Sequence, residues 1–281
     1  MAFGQQPQGN NAQNNGFNNQ YQYNQQYNQQ YNQYNAQPQY AYAPNGTAAV
    51  NVQTTYSYEQ AERSSVNSAY THMTLGLIVT AVVAIITQMS GAYLALIQTT
   101  GLIGVFAPAI IEIALAIYLG ARIHKMKVST AYVMFYVYAA LMGFTLSTIF
   151  MAYDLGTIGI SLALCAGFFF ALTMFGRTTK INMLKAGPIL FVGLIVLIIA
   201  EVILMIFAPG NTTLMIVSAI GLLLFAGMTV YDAQATRAML EQYSAQGPEM
   251  VKKVSILCAL NLYLDFVNMF MYILQLLGNR D

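Results

Sequence analysis

The chain has 281 residues, and its composition excludes an ordinary soluble domain. Charged residues make up 7% of the sequence, against about 25% in soluble domains. Hydrophobic residues reach 57% and mean hydropathy is +0.52. Ten acidic and eleven basic residues are too few to cover the surface of a soluble protein of this length. The composition therefore indicates an integral membrane protein.

The charge and the cysteine content exclude further classes. A net charge of +1 with no basic cluster or stripe lacks the electrostatic footprint of a nucleic-acid-binding protein. Cys165 and Cys258 both lie inside apolar runs, where a small buried hydrophobic side chain is the simplest interpretation. Two cysteines and two histidines without ligand-like spacing argue against a zinc site. We therefore expect no cofactor.

Residues 1–62 are predicted to form a disordered polar tail. Positions 1–40 contain 13 Gln and 10 Asn, and residues 1–58 carry no charged side chain. Such a segment buries too little aliphatic surface to offset the entropy of ordering it. Its Gln, Asn and Tyr bias is typical of prion-like segments that self-associate weakly. A handle for partners and a solvated spacer both stay open, while the basic and apolar regions of a secretory signal do not follow Met1.

Seven apolar runs of about twenty residues follow the tail, which is the length that a bilayer requires. Continuous runs of this kind differ from the alternating segments of a membrane β-barrel. They are rich in small residues, which allow helices to approach closely. We predict an all-α polytopic membrane protein, a seven-helix transmembrane bundle over residues 70–278. The predicted helices 1 to 7 cover residues 73–89, 101–121, 131–153, 156–175, 187–207, 214–235 and 254–277.

The basic residues between these helices predict the orientation of the chain. Nine of them follow predicted helices 2, 4 and 6, whereas the alternate loops contain none. Because basic loops stay in the cytoplasm, we expect a multi-pass inner (plasma) membrane protein with a cytoplasmic N-terminus and an external C-terminus. The nine are Arg122, Lys125, Lys127, Arg177, Lys180, Lys185, Arg237, Lys252 and Lys253.

Four of the ten acidic residues, Glu112, Glu201, Asp232 and Asp265, lie within the apolar spans, and no Lys or Arg lies deep in a span to pair with them. Ionised acids in a low-dielectric medium are costly, so two interpretations stay open. The acids form a pathway for ions or protons, or each is a neutral acid hydrogen-bonded to a neighbouring Ser, Thr or Tyr. Four acids in one bundle favour a pathway. If their helices adjoin, the acids form a ladder across the bilayer.

Two segments carry a family resemblance. Residues 224–234 read Leu-Phe-Ala-Gly-Met-Thr-Val-Tyr-Asp-Ala-Gln, and residues 262–270 read Leu-Tyr-Leu-Asp-Phe-Val-Asn-Met-Phe. They resemble the signature segments of the Bax inhibitor-1/YccA-like family, the transmembrane Bax inhibitor motif proteins. Glu112, the Gly-Phe-Thr-Leu-Ser segment at 143–147 and the Phe-Gly pair at 175–176 add to this resemblance. It covers about residues 70–278 and leaves out the tail.

The resemblance implies a bundle with predicted helix 7 at its centre, and one of two functions. Bacterial members include a pH-sensitive calcium leak channel in which two aspartates, matching Asp232 and Asp265, share a proton and sense pH. An arginine that latches this pair shut corresponds most nearly to Arg122. The chain is then a pH-regulated cation leak, with transient Ca²⁺ at the aspartate pair and with Glu112 and Glu201 along the pathway. Another bacterial branch modulates a membrane-bound AAA protease through a cytoplasmic tail, so the alternative is a non-conducting regulator of such a protease or of another membrane partner.

The expected coupling of the two aspartates follows from electrostatics and does not depend on the resemblance. Two carboxylates within a few Å cannot both ionise cheaply, so the pair titrates as a unit. The predicted helix ends, however, place Asp265 deeper in the bilayer than Asp232. Pairing requires predicted helix 7 to begin later than Val254, or predicted helix 6 to extend further toward the cytoplasm.

No enzymatic motif competes with this interpretation. The sequence has no Gly-rich phosphate loop, no nucleophile beside a base and no HExxH motif. An intramembrane aspartyl protease of the presenilin type would carry a Gly-x-Gly-Asp motif, whereas Asp232 follows Tyr231 and Asp265 follows Leu264. We therefore expect that the chain is not an enzyme.

Overall fold

The structure is a computed structural model and describes residues 40–42, 48–50, 52–208 and 210–278. Most of the predicted tail lies outside these residues, so its disorder stays a prediction. In the described part of the tail, strand β1 (Tyr40–Tyr42) pairs antiparallel with strand β2 (Ala48–Val50), with Tyr40 opposite Val50.

The remaining described elements are helical, and the predicted all-α membrane fold is confirmed. Seven stretches of the described residues are long and apolar enough to cross a membrane, with α4 and α5 together forming the third. The helices are α1 (Val52–Ser90), α2 (Ala92–Thr100), α3 (Leu102–Arg122), α4 (Val128–Leu146), α5 (Ile149–Ala152), α6 (Leu155–Thr178), a 3₁₀ turn (Met183–Ala186), α7 (Gly187–Phe207), α8 (Asn211–Ser244) and α9 (Pro248–Leu277).

Several helix ends differ from the prediction. Helix α1 begins at Val52, within the segment predicted as tail, and α8 continues to Ser244 rather than ending at residue 235. At about 1.5 Å per residue, a helix of 34 residues is about 50 Å long, well beyond the ~30 Å of a hydrocarbon core. The apolar run identifies only the part of a helix that lies in lipid. The helix itself can continue beyond the bilayer, because its backbone hydrogen bonds also form in water.

Helix α2 occupies a segment that was predicted to be a loop. It lies between two glycines with positive φ angles, Gly91 at 66° and Gly101 at 62°. Residues other than glycine rarely adopt this backbone conformation. Tyr93 is buried in this helix, and its ring meets Phe144 of α4 edge to face at 5.1 Å. The short helix is thus attached to the bundle between α1 and α3.

Helix α9 lies at the centre of the bundle, as the resemblance implied. In its most apolar stretch 72% of the residues are buried, against 39% in α8 and less in the other spans. Leu262, Tyr263, Met269 and Leu274 have no exposed surface. Helices α1, α4, α6 and α8 pack against α9.

Glycines mark the closest contacts between helices. A Cβ atom on Gly143 of α4 would lie 2.4 Å from the carbonyl oxygen of Thr80 in α1. A Cβ on Gly176 of α6 would lie 2.8 Å from the carbonyl oxygen of Val230 in α8. Lipid gives no hydrophobic driving force between helices, so close packing of this kind is what holds a membrane bundle together.

Helices α3, α6 and α8 end at the same side of the bundle, which carries the nine basic residues and is called the basic end below. The ring of His124, just after α3, stacks on Tyr243 near the end of α8 at 5.2 Å. The loop between α6 and α7 is fixed to α8 by Gln234, whose amide donates to the carbonyl of Ile181 (2.9 Å) and accepts from the backbone of Met183 (2.8 Å). The connections at this end are therefore attached to α8.

Candidate functional site: an aspartate pair beside the central helix

Helices α8 and α9 form an antiparallel pair that brings the two signature segments together. The turn between them includes Gly247, with φ at 93°. The hydroxyl of Thr229 donates to the sulfur of Met269 (3.2 Å), and farther from the turn Ser218 donates to Gln275 (2.6 Å). Because α8 extends well past residue 235, Asp232 lies inside the helix pair. This removes the conflict over the depths of the two aspartates.

The side chains of Asp232 and Asp265 are in hydrogen-bonding contact with each other. Both are buried, with 6% and 1% of their surfaces exposed, and the side chain of Thr229 also lies within hydrogen-bonding reach of Asp265. The Oδ2 atom of Asp265 is buried without a hydrogen-bond donor among the described residues. Ionised carboxylates only accept hydrogen bonds, so a bond between two of them requires a proton on one. A single shared proton would satisfy this geometry.

Tyr70 of α1 is a neighbour of the pair that the sequence did not single out. It lies close enough to Asp232, Asp265, Cys258 and Arg177 to interact with each electrostatically. Its hydroxyl group is buried and has no hydrogen-bond partner among the described residues. In the sequence Tyr70 is one aromatic residue before an apolar run, and no local signal distinguishes it from an ordinary interfacial tyrosine.

Glu112 lies in a different polar group, between α3 and α4. It is buried, and the hydroxyl of Thr145 donates to its Oε1 atom at 2.8 Å. The hydroxyl groups of Tyr138 and Tyr263 lie within electrostatic reach of its carboxyl group. Tyr263 and Asp265 are two residues apart on α9, so their side chains leave this helix on different faces.

Glu201 of α7 has a third environment. It is partly buried, and its Oε1 atom accepts a hydrogen bond from the hydroxyl of Tyr272 at 2.7 Å. The four acids therefore belong to three hydrogen-bonded groups rather than to one ladder of contacts. Glu112 and Glu201 each have a Thr or Tyr hydroxyl as partner, as expected if such an acid is hydrogen-bonded to a neighbouring side chain. Asp232 and Asp265 instead have each other. Their roles in sensing pH or carrying ions stay predictions.

Arg122 is exposed at the last residue of α3, next to the fully buried Ile123. Its role as a latch stays a prediction. Arg177, in the last turn of α6, is the arginine within electrostatic reach of Tyr70 beside the pair. The described residues contain no group of three or more His, Cys, Asp or Glu side chains that could hold a metal ion. Transient binding of Ca²⁺ by the two carboxyl groups of the pair stays a prediction, and it concerns a weaker site than a cluster of three or more ligands.

Comparison with known proteins agrees with the two signature segments. Residues 62–281 match a family model described as inhibitor of apoptosis-promoting Bax1. The chain is 37% identical over 213 residues to the inner membrane protein YbhL of Escherichia coli, covering 75% of this chain and 89% of that protein. It is 33% identical over 226 residues to an uncharacterized protein of Rickettsia prowazekii, covering 80% and 93%. It is also 33% identical over 208 residues to one of Borreliella burgdorferi, covering 74% and 88%.

Proposed function

Because the chain belongs to the Bax inhibitor family of membrane proteins, we propose that it is a membrane leak pathway for cations, calcium above all, and that protonation of the Asp232–Asp265 pair regulates it. The observation that carries the proposal is the contact between two buried carboxyl groups on the two most buried helices. Buried acids within membrane spans are functional candidates by default because their burial is costly.

The chemistry of the pair supports regulation by pH. With one proton the two carboxyl groups attract each other across the α8–α9 contact. Without it two like charges face each other in a medium of low dielectric, where they repel strongly and favour a divalent cation between them. The proton and the cation thus compete for the same oxygen atoms. We expect the pair to act as one titrating unit whose state alters the packing of α8 on α9.

Glu112 and Glu201 are proposed to contribute to conduction rather than to sensing. Each has its own hydroxyl partner, Thr145 and Tyr272 respectively. Both therefore lie in hydrogen-bonded groups separate from the pair. We further propose the orientation that the basic loops indicate, with the N-terminus in the cytoplasm.

Calcium flux into liposomes that contain only this protein tests the proposal. The purified full-length chain is reconstituted, and flux is followed with an entrapped calcium indicator at several pH values between mildly acidic and mildly alkaline. We expect a calcium flux above that of protein-free liposomes, with a single midpoint in its pH dependence. A correctly folded protein that carries no calcium at any pH would contradict the leak and favour the non-conducting regulator of a membrane protease or other partner.

A further inference from the structure

The basic end contains a second apolar cluster, distinct from the core around the middle of α9. Helices α1, α8 and α9 all contribute to it. We call it the basic-end cluster, and its buried members are Val66, Ala69, Leu240, Val251, Val254 and Cys258. Since it lies beyond the aspartate pair along α8 and α9, it covers the pair on the side that faces the basic loops.

Tyr70 lies at the junction of the two apolar regions. Among the described residues it is the side chain that packs against both the central core and the basic-end cluster. It is also an electrostatic neighbour of both aspartates. The ring thus packs where the two apolar regions meet, near the pair.

We propose that the ring of Tyr70, together with the basic-end cluster, is a gate that separates the aspartate pair from water at the basic end. The inference rests on the proposed function, since a gate matters where ions or protons reach the pair. The titratable or charged groups within electrostatic reach of Tyr70 are Arg177 from α6, Asp232 from α8, and Cys258 and Asp265 from α9. With the gate closed, Asp232, Asp265 and Cys258 are buried, whereas Arg177 is exposed. Displacement of the ring would hydrate the two aspartates and Cys258 together.

Helix α1 is suited to carry such a gate. It continues without a break from Val52 through Tyr70 to Ser90, so the gate lies on the helix that follows the N-terminal tail. Near the gate, Ser255 of α9 donates a hydrogen bond to the carbonyl oxygen of Ser65 in α1 (3.2 Å). The adjoining contact is made by the small side chain of Ala69, which is fully buried. Both contacts lie N-terminal to Met73, the first residue of α1 that is buried in the core around α9.

Cys258 provides a native reporter that does not depend on ion flux. It is 1% exposed, belongs to the basic-end cluster and neighbours Tyr70. In a Cys165→Ala background it is the sole cysteine, and its reaction with a small charged methanethiosulfonate reagent measures how often water reaches it. The rate is measured on the full-length chain in detergent for Tyr70→Ala, Tyr70→Phe and a control, Tyr93→Ala, which removes a buried tyrosine from α2.

Removal of the ring should open the gate while the conservative variant keeps it closed. We expect Tyr70→Ala to raise the rate of Cys258 modification by about tenfold or more, because local opening sets the reactivity of a buried group. Tyr70→Phe should stay within about twofold of the parent protein, since it keeps the ring and removes a hydroxyl with no partner. Tyr93→Ala should also leave the rate unchanged. If Tyr70→Ala does not fold, Tyr70→Leu takes its place with the same expectation.

The gate is overturned if the folded Ala or Leu variant leaves the Cys258 rate unchanged, if Phe reacts as fast as Ala, or if Tyr93→Ala reacts equally fast. Calcium flux of the same variants separates the two proposals. A gate predicts greater flux for Tyr70→Ala than for the parent chain. A parent chain without calcium flux contradicts the leak, while the rate of Cys258 modification still decides whether the gate exists.

Discussion

In the proposed mechanism Asp232 and Asp265 share a proton, so that neither carboxyl group titrates independently of the other. Their mutual contact distinguishes them from Glu112 and Glu201, each of which accepts a hydrogen bond from a hydroxyl group. An amide in place of either aspartate keeps the size of the side chain and removes its titration. Substitution by Asn therefore tests the coupling with little change in packing.

We expect Asp265→Asn and Asp232→Asn each to abolish the pH dependence of calcium flux, because each removes the like-charge coupling. The double variant should resemble either single variant, since residues in direct contact do not act additively. The measurement is the pH midpoint of flux in liposomes. Glu112→Gln and Glu201→Gln should lower flux and leave the midpoint nearly unchanged.

The exposed Asp154→Asn is the matched control for this series, because it makes the same chemical change outside the spans. Asp154→Asn should keep the wild-type calcium flux and the wild-type pH midpoint. If both variants of the pair retain the wild-type midpoint, the pH sensor lies elsewhere in the molecule.

Asp154 itself permits a test of helix capping. The side chain and the backbone amide of Thr157 donate to its carboxylate, and these hydrogen bonds hold the pKa of Asp154 below its usual range. A lowered pKa in the folded state stabilises the protein above the ordinary pKa of Asp, and this contribution is lost as pH falls through the lowered value. Asp154→Ala should therefore lower Tm at neutral pH, with a smaller difference in acid.

Thermal unfolding in detergent as a function of pH measures this effect. Asp154→Asn is the control, because Asn also caps helices well but does not titrate. An Asp154→Ala difference that is equal at neutral and acidic pH would show that the ionised carboxylate contributes nothing beyond its shape.

At the scale of elements, the contact between α4 and α1 depends on a residue without a side chain. The Cβ of Gly143→Ala would lie 2.4 Å from a backbone oxygen of Thr80 and 3.0 Å from the Cβ of Val83. Because backbone cannot rotate away as a side chain can, the two helices must separate. We expect a loss of about 1–3 kcal/mol in the free energy of unfolding, as for other overpacked contacts.

Unfolding in a graded mixture of mild and denaturing detergents measures this loss. Gly167→Ala is the matched control, since no atom lies within 4 Å of its added Cβ, and it should leave stability unchanged or higher. Equal effects of the two substitutions would indicate a general response to alanine rather than to the α4–α1 contact.

For the whole molecule, the position of the basic residues predicts how the chain crosses the membrane. Asn211, at the start of α8, and Ser129, in the first turn of α4, are both exposed and lie at opposite ends of the bundle. In a background without Cys165 and Cys258, a cysteine at position 211 should react with an impermeant thiol reagent added outside intact cells. A cysteine at position 129 should react only after the cells are opened, and the reverse pattern would invert the proposed orientation.

The number of spans and the identity of the family were predictable because both depend on local sequence. A bilayer sets the length of an apolar run whatever the run later packs against. The seven predicted spans therefore correspond to the seven stretches found among the described residues. Helix α7 has the predicted bounds, residues 187–207. The segments around Asp232 and Asp265 are likewise contiguous in sequence. Helix ends beyond the bilayer were not predictable from hydropathy, because α1 and α8 continue through polar residues.

Only the tertiary structure decided which side chains meet. The partners of Glu112 and Glu201 lie 33 and 71 residues away along the chain. Tyr70, which lies within electrostatic reach of the aspartate pair, is far from both aspartates in the sequence. These contacts depend on the faces that helices present to one another, which follow from close packing at positions such as Gly143 and Gly176. Hydropathy determines that a segment lies in the membrane, whereas complementary shape between distant segments determines its neighbours.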